Sequence, residues 1–340
     1  MHKYFKLAVL MGATLCGGWS TGHAQSNFYE GKTIRMIVGF TAGGGYDAYT
    51  RTVGRHLGKH IPGHPAIIVE NMPGAGSMIS ANYIYKAAKP DGLTIGHFIG
   101  GLFLQQLLGK PGIEFDAAKF QYVGVPGQDN FVIGIAKSTG IADVDSWLAS
   151  KQVVKFGGVA SGSGSDDIPN VLKATLGLPI QLVSGYKGTA DVRLAFNSGE
   201  VAGLSNSWES TKSTWRKELE SGDLKLVLQV TLKPHPELAK LPMALSYAKT
   251  EEAKRLISTV ARVHGSTVRP YVLPPNTPKD RVEILRKAFM DTMKDPELLA
   301  EAKKANLDIN PEDGATLEQN VKEILKLEPA LVAKLKEILK

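Results

Sequence analysis

The sequence predicts an α/β protein with two lobes of similar design and a helical C-terminal part. Two observations support this fold class. Apolar, β-rich runs alternate with helical segments between residues 34 and 98, and the same alternation recurs between residues 153 and 230. Such alternation is typical of parallel sheets covered by helices. A length of 340 residues fits two domains, since one domain usually takes about 150 residues.

The first lobe is predicted from five successive segments. They are a strand over Ile34–Phe40, a helix over Tyr46–His60, a strand over Ala66–Val69, a helix over Met78–Ala88 and a strand over Leu93–Phe98. Asp47 in the first turn of the first helix and His60 in its last turn both suit the helix dipole. The βαβαβ order predicts parallel pairing of the three strands.

The second lobe is predicted from a similar order of segments. We expect strands over Val153–Val159, Ile180–Val183, Val201–Leu204 and Lys225–Val230, with helices over Asp166–Leu176 and Thr189–Asn197. After a short strand at Tyr271–Leu273, a helix is predicted from Thr277 to Lys294, followed by two or three more helices.

Residues 1–24 are predicted to form a secretory signal peptide. Lys3 and Lys6 precede a mostly apolar run over Leu7–Trp19, and small residues flank His23 before the expected mature start at Gln25. A membrane anchor or an internal helix is the alternative, but the run is short for a membrane span. The only cysteine, Cys16, lies in this segment, so the mature chain has no disulfide, thiolate metal site or cysteine nucleophile.

Composition excludes several classes of protein. Hydrophobic residues make up 43% and charged residues 21% of the chain, values typical of a globular protein. The formal net charge is +7, but basic residues are spread out and no arginine-rich arm is present, so no nucleic-acid partner is expected. A mild positive field favours small anionic ligands.

Three glycine-rich loops each follow a predicted strand and precede a predicted helix. They span Thr41–Gly45, Pro73–Ser77 and Ser161–Ser165. Glycine lets the backbone approach a ligand closely, and the first N–H groups of a helix attract anions. Because ligands of open α/β sheets bind at the carboxyl ends of the strands, these loops are candidates for a carboxylate site.

Motifs for phosphate binding and for hydrolysis are absent from the sequence. Neither G-K-[ST] nor G-x-G-x-x-G occurs, and neither G-x-S-x-G nor H-E-x-x-H occurs. S-x-x-K occurs at Ser184 and Ser246 without its partner motifs. His56, His60 and His64 are spaced as possible metal ligands, but no third ligand is evident nearby, so no metal or other cofactor is expected.

The sequence resembles the periplasmic solute receptors of tripartite tricarboxylate transporters, the Bug or TctC-like binding proteins. The segments that carry the resemblance extend over the whole predicted mature chain: Lys32–Asp47, Val69–Ser77, Lys89–Thr94, Ser161–Ser165, Gly185–Gly188, Asn197–Val201, Tyr271–Pro278 and Lys294–Glu297. Two positions depart from the family pattern. Asp166 and Asp167 stand where a histidine is often found, and Met72 stands where arginine is frequent.

The resemblance implies a type II-like periplasmic binding fold of the Venus flytrap kind, in which each lobe is a mixed sheet flanked by helices. Residues 25–126 and 245–340 are expected to form one lobe and residues 127–244 the other. It also implies a non-enzymatic, monomeric receptor in the periplasm that delivers a di-, tri- or aromatic carboxylate to membrane permease subunits. An exported sensor domain for a membrane kinase and, with less support, a secreted hydrolase are the alternatives.

The first two loops are expected to grip the ligand carboxylate from both sides, and the second lobe to contact the rest of the ligand. Asp47 would accept hydrogen bonds from loop N–H groups, because an ionised carboxylate repels the ligand. The candidate ligand-binding residues are Phe40, Thr41, Ala42, Gly43, Gly44, Gly45, Asp47, Pro73, Gly74, Ala75, Gly76, Ser77, Ser163, Ser165, Tyr186, Lys187 and Asn206.

Overall fold

The strands form two separate sheets, each covered by helices. The structure is a computed structural model that describes residues 28–339, so the predicted signal peptide lies outside the described residues. The first sheet has six strands and the second has five. Within residues 28–339, every helix is too short or too polar to cross a membrane.

The elements before residue 126 belong to the first sheet and its cover. In chain order they are β1 (Thr33–Val38), α1 (Gly45–Leu57), β2 (Ala66–Asn71), α2 (Met78–Lys86), β3 (Thr94–His97), α3 (Gly101–Leu107) and β4 (Gln121–Val125). β1 pairs in parallel with β2 and with β3, and Met36 lies beside both Val69 and Ile95. The parallel βαβαβ unit predicted from the sequence is therefore confirmed.

The second sheet is built from the middle of the chain. Its elements are β5 (Phe131–Ala136), α4 (Val144–Ser150), β6 (Val154–Gly157), α5 (Gly164–Leu176), β7 (Ile180–Val183), α6 (Thr189–Asn197), β8 (Gly203–Ser207), α7 (Trp208–Thr214), α8 (Arg216–Glu220) and β9 (Leu224–Val230). The strand order is β7-β6-β8-β5-β9. β6 is parallel to β7 and β8, whereas β5 is antiparallel to β8 and β9, so the sheet is mixed.

The remaining elements return to the first sheet. They are α9 (Ala244–Tyr247), α10 (Glu251–Ser266), β10 (Tyr271–Leu273), α11 (Lys279–Thr292), α12 (Pro296–Ala305), β11 (Glu312–Asp313), α13 (Gly314–Ile324) and α14 (Pro329–Ile338). β10 inserts between β3 and β4 and is antiparallel to both. The first sheet is therefore also mixed, in the order β11-β4-β10-β3-β1-β2.

Loops of the two lobes touch each other. A Cβ built on Gly44 would lie 3.2 Å from Thr189 Oγ1, and one built on Gly101 would collide with the carbonyl oxygen of Gly162. α10 packs chiefly against α5 and also against α3 and α13, so it contacts both lobes. The described residues therefore form a closed arrangement with little space between the lobes.

Candidate functional site

A cavity lies between the two sheets, where loops from both lobes meet. Its volume is about 50 Å³. Its wall is mainly aromatic or aliphatic side chains and small hydroxyl residues. The lining residues are Phe40, Thr41, Gly44, Gly45, Tyr46, Ile99, Asp129, Phe131, Val159, Ser163, Gly164, Ser165, Gly188, Thr189, Ser205, Asn206, Ser207, Ser210, His264, Val268 and Arg269.

Three helices begin at this cavity. The residues that precede α1, α5 and α6 are Gly44, Ser163 and Gly188, and all three line the cavity. No side chain caps the N-terminus of any of these helices. Uncapped helix N-termini carry partial positive charge and free N–H groups. Their convergence makes the cavity suited to an anion.

Arg269 supplies a full positive charge at the same cavity. Its side chain is 1% exposed, and its Nε and Nη2 donate to the two carboxylate oxygens of Asp129, each at 2.9 Å. Nη2 also donates to Ser210 Oγ at 2.8 Å and to Ser207 Oγ at 3.2 Å. The desolvation of Asp129 raises the pKa of its carboxyl group, and the adjacent guanidinium opposes this rise.

The first glycine-rich loop is held by Asp47. Gly43 N donates to Asp47 Oδ2 at 3.0 Å, and Asn71 Nδ2 donates to Asp47 Oδ1 at 2.9 Å. Asn71 Nδ2 also donates to the carbonyl of Phe40, and Arg51 pairs with Asp47. Burial opposes ionisation, but these donors keep the pKa of Asp47 below its usual value. Asp47 therefore holds the loop in its shape from outside the cavity. Ala42 and Gly43, which belong to the loop, do not line the cavity either.

The second loop does not line the cavity. None of Pro73, Gly74, Ala75, Gly76 and Ser77 is among the lining residues, so this cavity brings together only the first of the two loops expected to grip a carboxylate. The reason is steric, because a Cβ built on Gly76 would lie 2.6 Å from Ala160 Cβ in the second lobe. Ser77 Oγ is buried and accepts from Ile99 N at 3.0 Å. The loop is thus used in packing.

The N-terminus of α5 forms the second-lobe end of the cavity. Asp166 accepts from Val159 N at 2.6 Å, from Ser163 Oγ at 2.9 Å and from Ser165 Oγ at 3.1 Å. Burial raises the pKa of Asp166, and the hydroxyl donors oppose this rise. Asp167 accepts from Gly162 N and contacts His264 Nε2 at 3.2 Å. This end of the cavity therefore has two buried carboxyl groups directly behind its wall.

Three further candidates have different outcomes in the second lobe. Asn206 lines the cavity and donates from Nδ2 to Thr211 Oγ1 at 3.1 Å. Tyr186 instead donates its hydroxyl to Glu200 Oε1, and Lys187 is exposed; neither lines the cavity. They follow β7, whereas the cavity wall in this region comes from Gly188 and Thr189 at the start of α6.

The sequence analysis missed several lining residues, above all Asp129, His264 and Arg269. Asp129 and Arg269 are separated by 140 residues and meet only because the chain returns to the first sheet after the second lobe. The only local signal for Arg269 in the sequence is its place in the pair Arg269-Pro270, directly before the strand predicted at Tyr271–Leu273. Such a signal does not distinguish a cavity residue from a surface one.

Two of the three histidines considered as metal ligands, His56 and His60, belong to an ion-pair network at the end of α1, whereas His64 is exposed outside it. His56 Nε2 lies 2.8 Å from Glu301 Oε2, and His60 Nε2 lies 2.8 Å from Asp295 Oδ2. Lys59 Nζ also contacts Asp295, at 2.5 Å. Ligand atoms of His56, Asp295 and Glu297 lie within 4.8 Å of one another. Lys59 Nζ pairs with both of these carboxylates, so they are already neutralised by a cation of the chain and we assign no metal to them.

The two sheets with their helices form the two-lobed fold of periplasmic binding proteins. A comparison of structures supports this fold class. The structure titled periplasmic binding protein BugD is similar with a TM-score of 0.73 and 21% identity, over 92% of this chain and all of that one. An R. palustris protein with adipate is similar with a TM-score of 0.72 and 20% identity, over 91% of this chain and 98% of that one.

The chain belongs to the tripartite tricarboxylate transporter family of receptors, whose family model matches residues 50–336. A UPF0065 protein encoded in the gbd 5' region of Cupriavidus necator is 25% identical over 60% of this chain. The match covers 61% of that relative's length. The resemblance and the fold class predicted from the sequence are thus confirmed.

Proposed function

We propose that this protein is an exported receptor that captures a small organic carboxylate between its lobes and presents it to a membrane permease. One observation carries the proposal: three uncapped helix N-termini and a buried arginine surround one cavity where the lobes meet. Charge-assisted hydrogen bonds contribute about 1.5–3 kcal/mol each, enough to select an anion over a neutral molecule. The adipate in a structurally similar protein supports a carboxylate ligand.

Membership of a receptor family supports binding without chemical conversion. Activated nucleophiles require a base within hydrogen-bond reach. Among the described residues, His264 bonds Asp167 and no serine hydroxyl. The hydroxyls of Ser163 and Ser165 do donate to Asp166, but they share that carboxylate with Val159 N, so the contacts hold the start of α5 in place. We therefore assign no catalytic role to the serines that line the cavity, and the hydrolase alternative lacks an observation in its favour.

We assign residues 25–126 and 245–340 to one lobe and residues 127–244 to the other. The membership of the strands in the two sheets supports this division. A ligand that contacts Gly45 in one lobe and Asn206 in the other has its full set of contacts only when the lobes are together. Its differential affinity for that state therefore drives closure, which is the signal that a permease reads.

The second-lobe end of the cavity favours a ligand with one buried carboxylate. The hydroxyl groups of Ser163 and Ser165 both contact Asp166, so they offer mainly lone pairs to a ligand. A second carboxylate there would face Asp166 and Asp167, whereas a hydroxyl or amide donor would be accepted. We therefore expect succinamate, which has one carboxylate and one amide, to bind at least as well as succinate.

A thermal-shift screen tests the proposal directly. Succinate, adipate, citrate, benzoate, nicotinate and glutamate would be compared with their fully amidated forms, which carry no carboxylate. An acid present at 100 times its Kd stabilises the protein by about 2.7 kcal/mol, which raises Tm by several degrees. Small-angle scattering with the best acid should show compaction. If no acid raises Tm while an amide does, anion capture is wrong.

Export and delivery need two separate measurements. Mass spectrometry of the mature protein from a periplasmic fraction should give an N-terminus at Gln25. Uptake of the labelled acid should depend on both this protein and the permease subunits. If uptake is unaffected by deletion of the receptor while a kinase response is lost, the sensor alternative is correct.

A further inference from the structure

The guanidinium of Arg269 has a donor that no protein group uses. Its Nε and Nη2 are bonded to Asp129, and Nη2 also reaches Ser210. Nη1 is buried and has no hydrogen-bond partner among residues 28–339. A buried N–H group without a partner costs free energy comparable to a lost hydrogen bond, so native structures rarely leave one unpaired. Seven buried side-chain atoms of the described residues lack a partner, and the Nη1 atom of Arg269 is the one that belongs to a charged group lining the cavity.

Aromatic rings fix the direction of this free donor. The centre of the guanidinium lies 4.8 Å from the ring centroid of Tyr46 and 4.4 Å from that of Tyr49. Tyr46 is itself fixed by a hydrogen bond from its hydroxyl to the carbonyl of Val268 at 2.6 Å. The carboxylate of Asp129 and these rings leave Arg269 little freedom to turn Nη1 towards another protein acceptor.

The free donor lies beside the N-terminus of α1. Arg269 lines the cavity, and a Cβ built on Gly45 would lie 3.5 Å from Nη1. The first helical residue and the guanidinium therefore adjoin the same small volume. Partial positive charge from the helix and full positive charge from the arginine act there together, and water has little access.

We propose that Nη1 of Arg269 donates directly to the carboxylate of the bound ligand, at the α1 end of the cavity. This rests on the proposed function and makes it more specific: the ligand must present an ionised carboxylate at that end, and a neutral amide or ester there is rejected. Asp129 and Ser210 position the guanidinium without contacting the ligand. The competing interpretation is that Arg269 only joins the lobes as a structural ion pair.

Two variants separate these interpretations. The double variant D129N/R269Q removes both charges, so no unpaired buried charge remains. R269K keeps a cation for Asp129 but lacks the separate Nη1 donor. A matched control is R281K, because Arg281 also packs on an aromatic ring, with its guanidinium 3.6 Å from the Phe28 ring centroid, but does not line the cavity.

Binding would be measured by calorimetry with succinate, adipate, citrate, benzoate and nicotinate, and with their fully amidated forms. For every acid that binds the unaltered protein, we expect about a 10- to 100-fold loss of affinity in D129N/R269Q and in R269K, with R281K unchanged. As a readout that needs no variant to fold, the ¹⁵N resonances of the Arg269 side chain should shift on addition of the acid and not of its amide.

The outcomes are distinct. Affinity within threefold of the unaltered protein in both variants, or Arg269 resonances that do not move when an acid binds, would overturn the role of Arg269 and leave carboxylate capture intact. If none of the acids binds the unaltered protein, the proposed function fails and this inference fails with it. The inference is supported if D129N/R269Q and R269K lose acid binding while R281K keeps it, provided that all three variants keep a cooperative thermal transition.

Discussion

Replacement of Gly45 by alanine is expected to oppose closure of the lobes while leaving each lobe folded. A Cβ at this position would collide with Ser210 Oγ and would lie 3.1 Å from Ser210 Cβ. Gly45 is the first residue of α1 in the first lobe, and Ser210 lies on α7 in the second. The collision therefore exists only when the lobes are together.

The magnitude follows from the cost of adding a methyl group to a packed contact. Overpacking of this kind costs about 1–3 kcal/mol. If the ligand binds the closed state, this cost appears in the affinity as a roughly 5- to 150-fold increase in Kd. Alanine is a better helix former than glycine by up to about 1 kcal/mol, so Tm without ligand should be unchanged or slightly higher. G45A should therefore bind the acid more weakly, whereas the Tm of the ligand-free variant should stay the same or rise.

Calorimetry with the best acid from the screen, together with small-angle scattering, would measure both effects. The S210A variant completes a double-mutant cycle with G45A and itself measures the loss of the Ser210 bond to Arg269. G45A/S210A should bind better than the sum of the two single effects predicts, because the nearest colliding atom is gone. This difference appears as a coupling energy in the double-mutant cycle. If G45A binds within twofold of the unaltered protein and compacts fully with ligand, the assignment of this contact to the closed state is refuted.

Three other predictions concern the loops and pH. N206A should weaken acid binding about threefold or more, and K187A should leave it within twofold because Lys187 is exposed outside the cavity; calorimetry distinguishes them. D47N should weaken acid binding by loosening Gly43, with cooperative unfolding retained, and unchanged affinity would contradict this role. Burial lowers the pKa of His97 to about 3, so its neutral form is favoured by folding. Stability should fall as pH falls from 6.5 towards 3, by about 2 kcal/mol at pH 5. H97F should reduce this loss, as denaturant unfolding at pH 5 and pH 6.5 would show.

The alternating parts of the sequence predicted the fold well. The predicted strand at Ile180–Val183 and helix at Thr189–Asn197 have the same bounds in the structure. Their boundaries are set locally, by Gly188 before the helix and by apolar residues within the strand. The first glycine-rich loop was also found, because strand, glycine run and helix start are adjacent in the chain and need no distant partner.

Elements that depend on distant contacts were missed. The sequence analysis assigned no structure to β5 or α10, although α10 is sixteen residues long and packs against α5. Asp129 and Arg269 of the cavity wall were missed in the same way, since they meet only through the return of the chain to the first sheet. The second loop shows the converse error. A local glycine pattern predicts an accessible backbone, but Ala160 from the other lobe covers Gly76.

The position of β10 determines when the first lobe can be completed during synthesis. Residues 271–273 separate β3 from β4, which both come from the first 125 residues of the chain. A nascent chain that ends before residue 271 exposes two unpaired strand edges, whereas every strand of the second sheet has been made by residue 230. Residues 131–230, which contain every strand of the second sheet, can therefore fold first. The first sheet stays incomplete until residue 271 has been made.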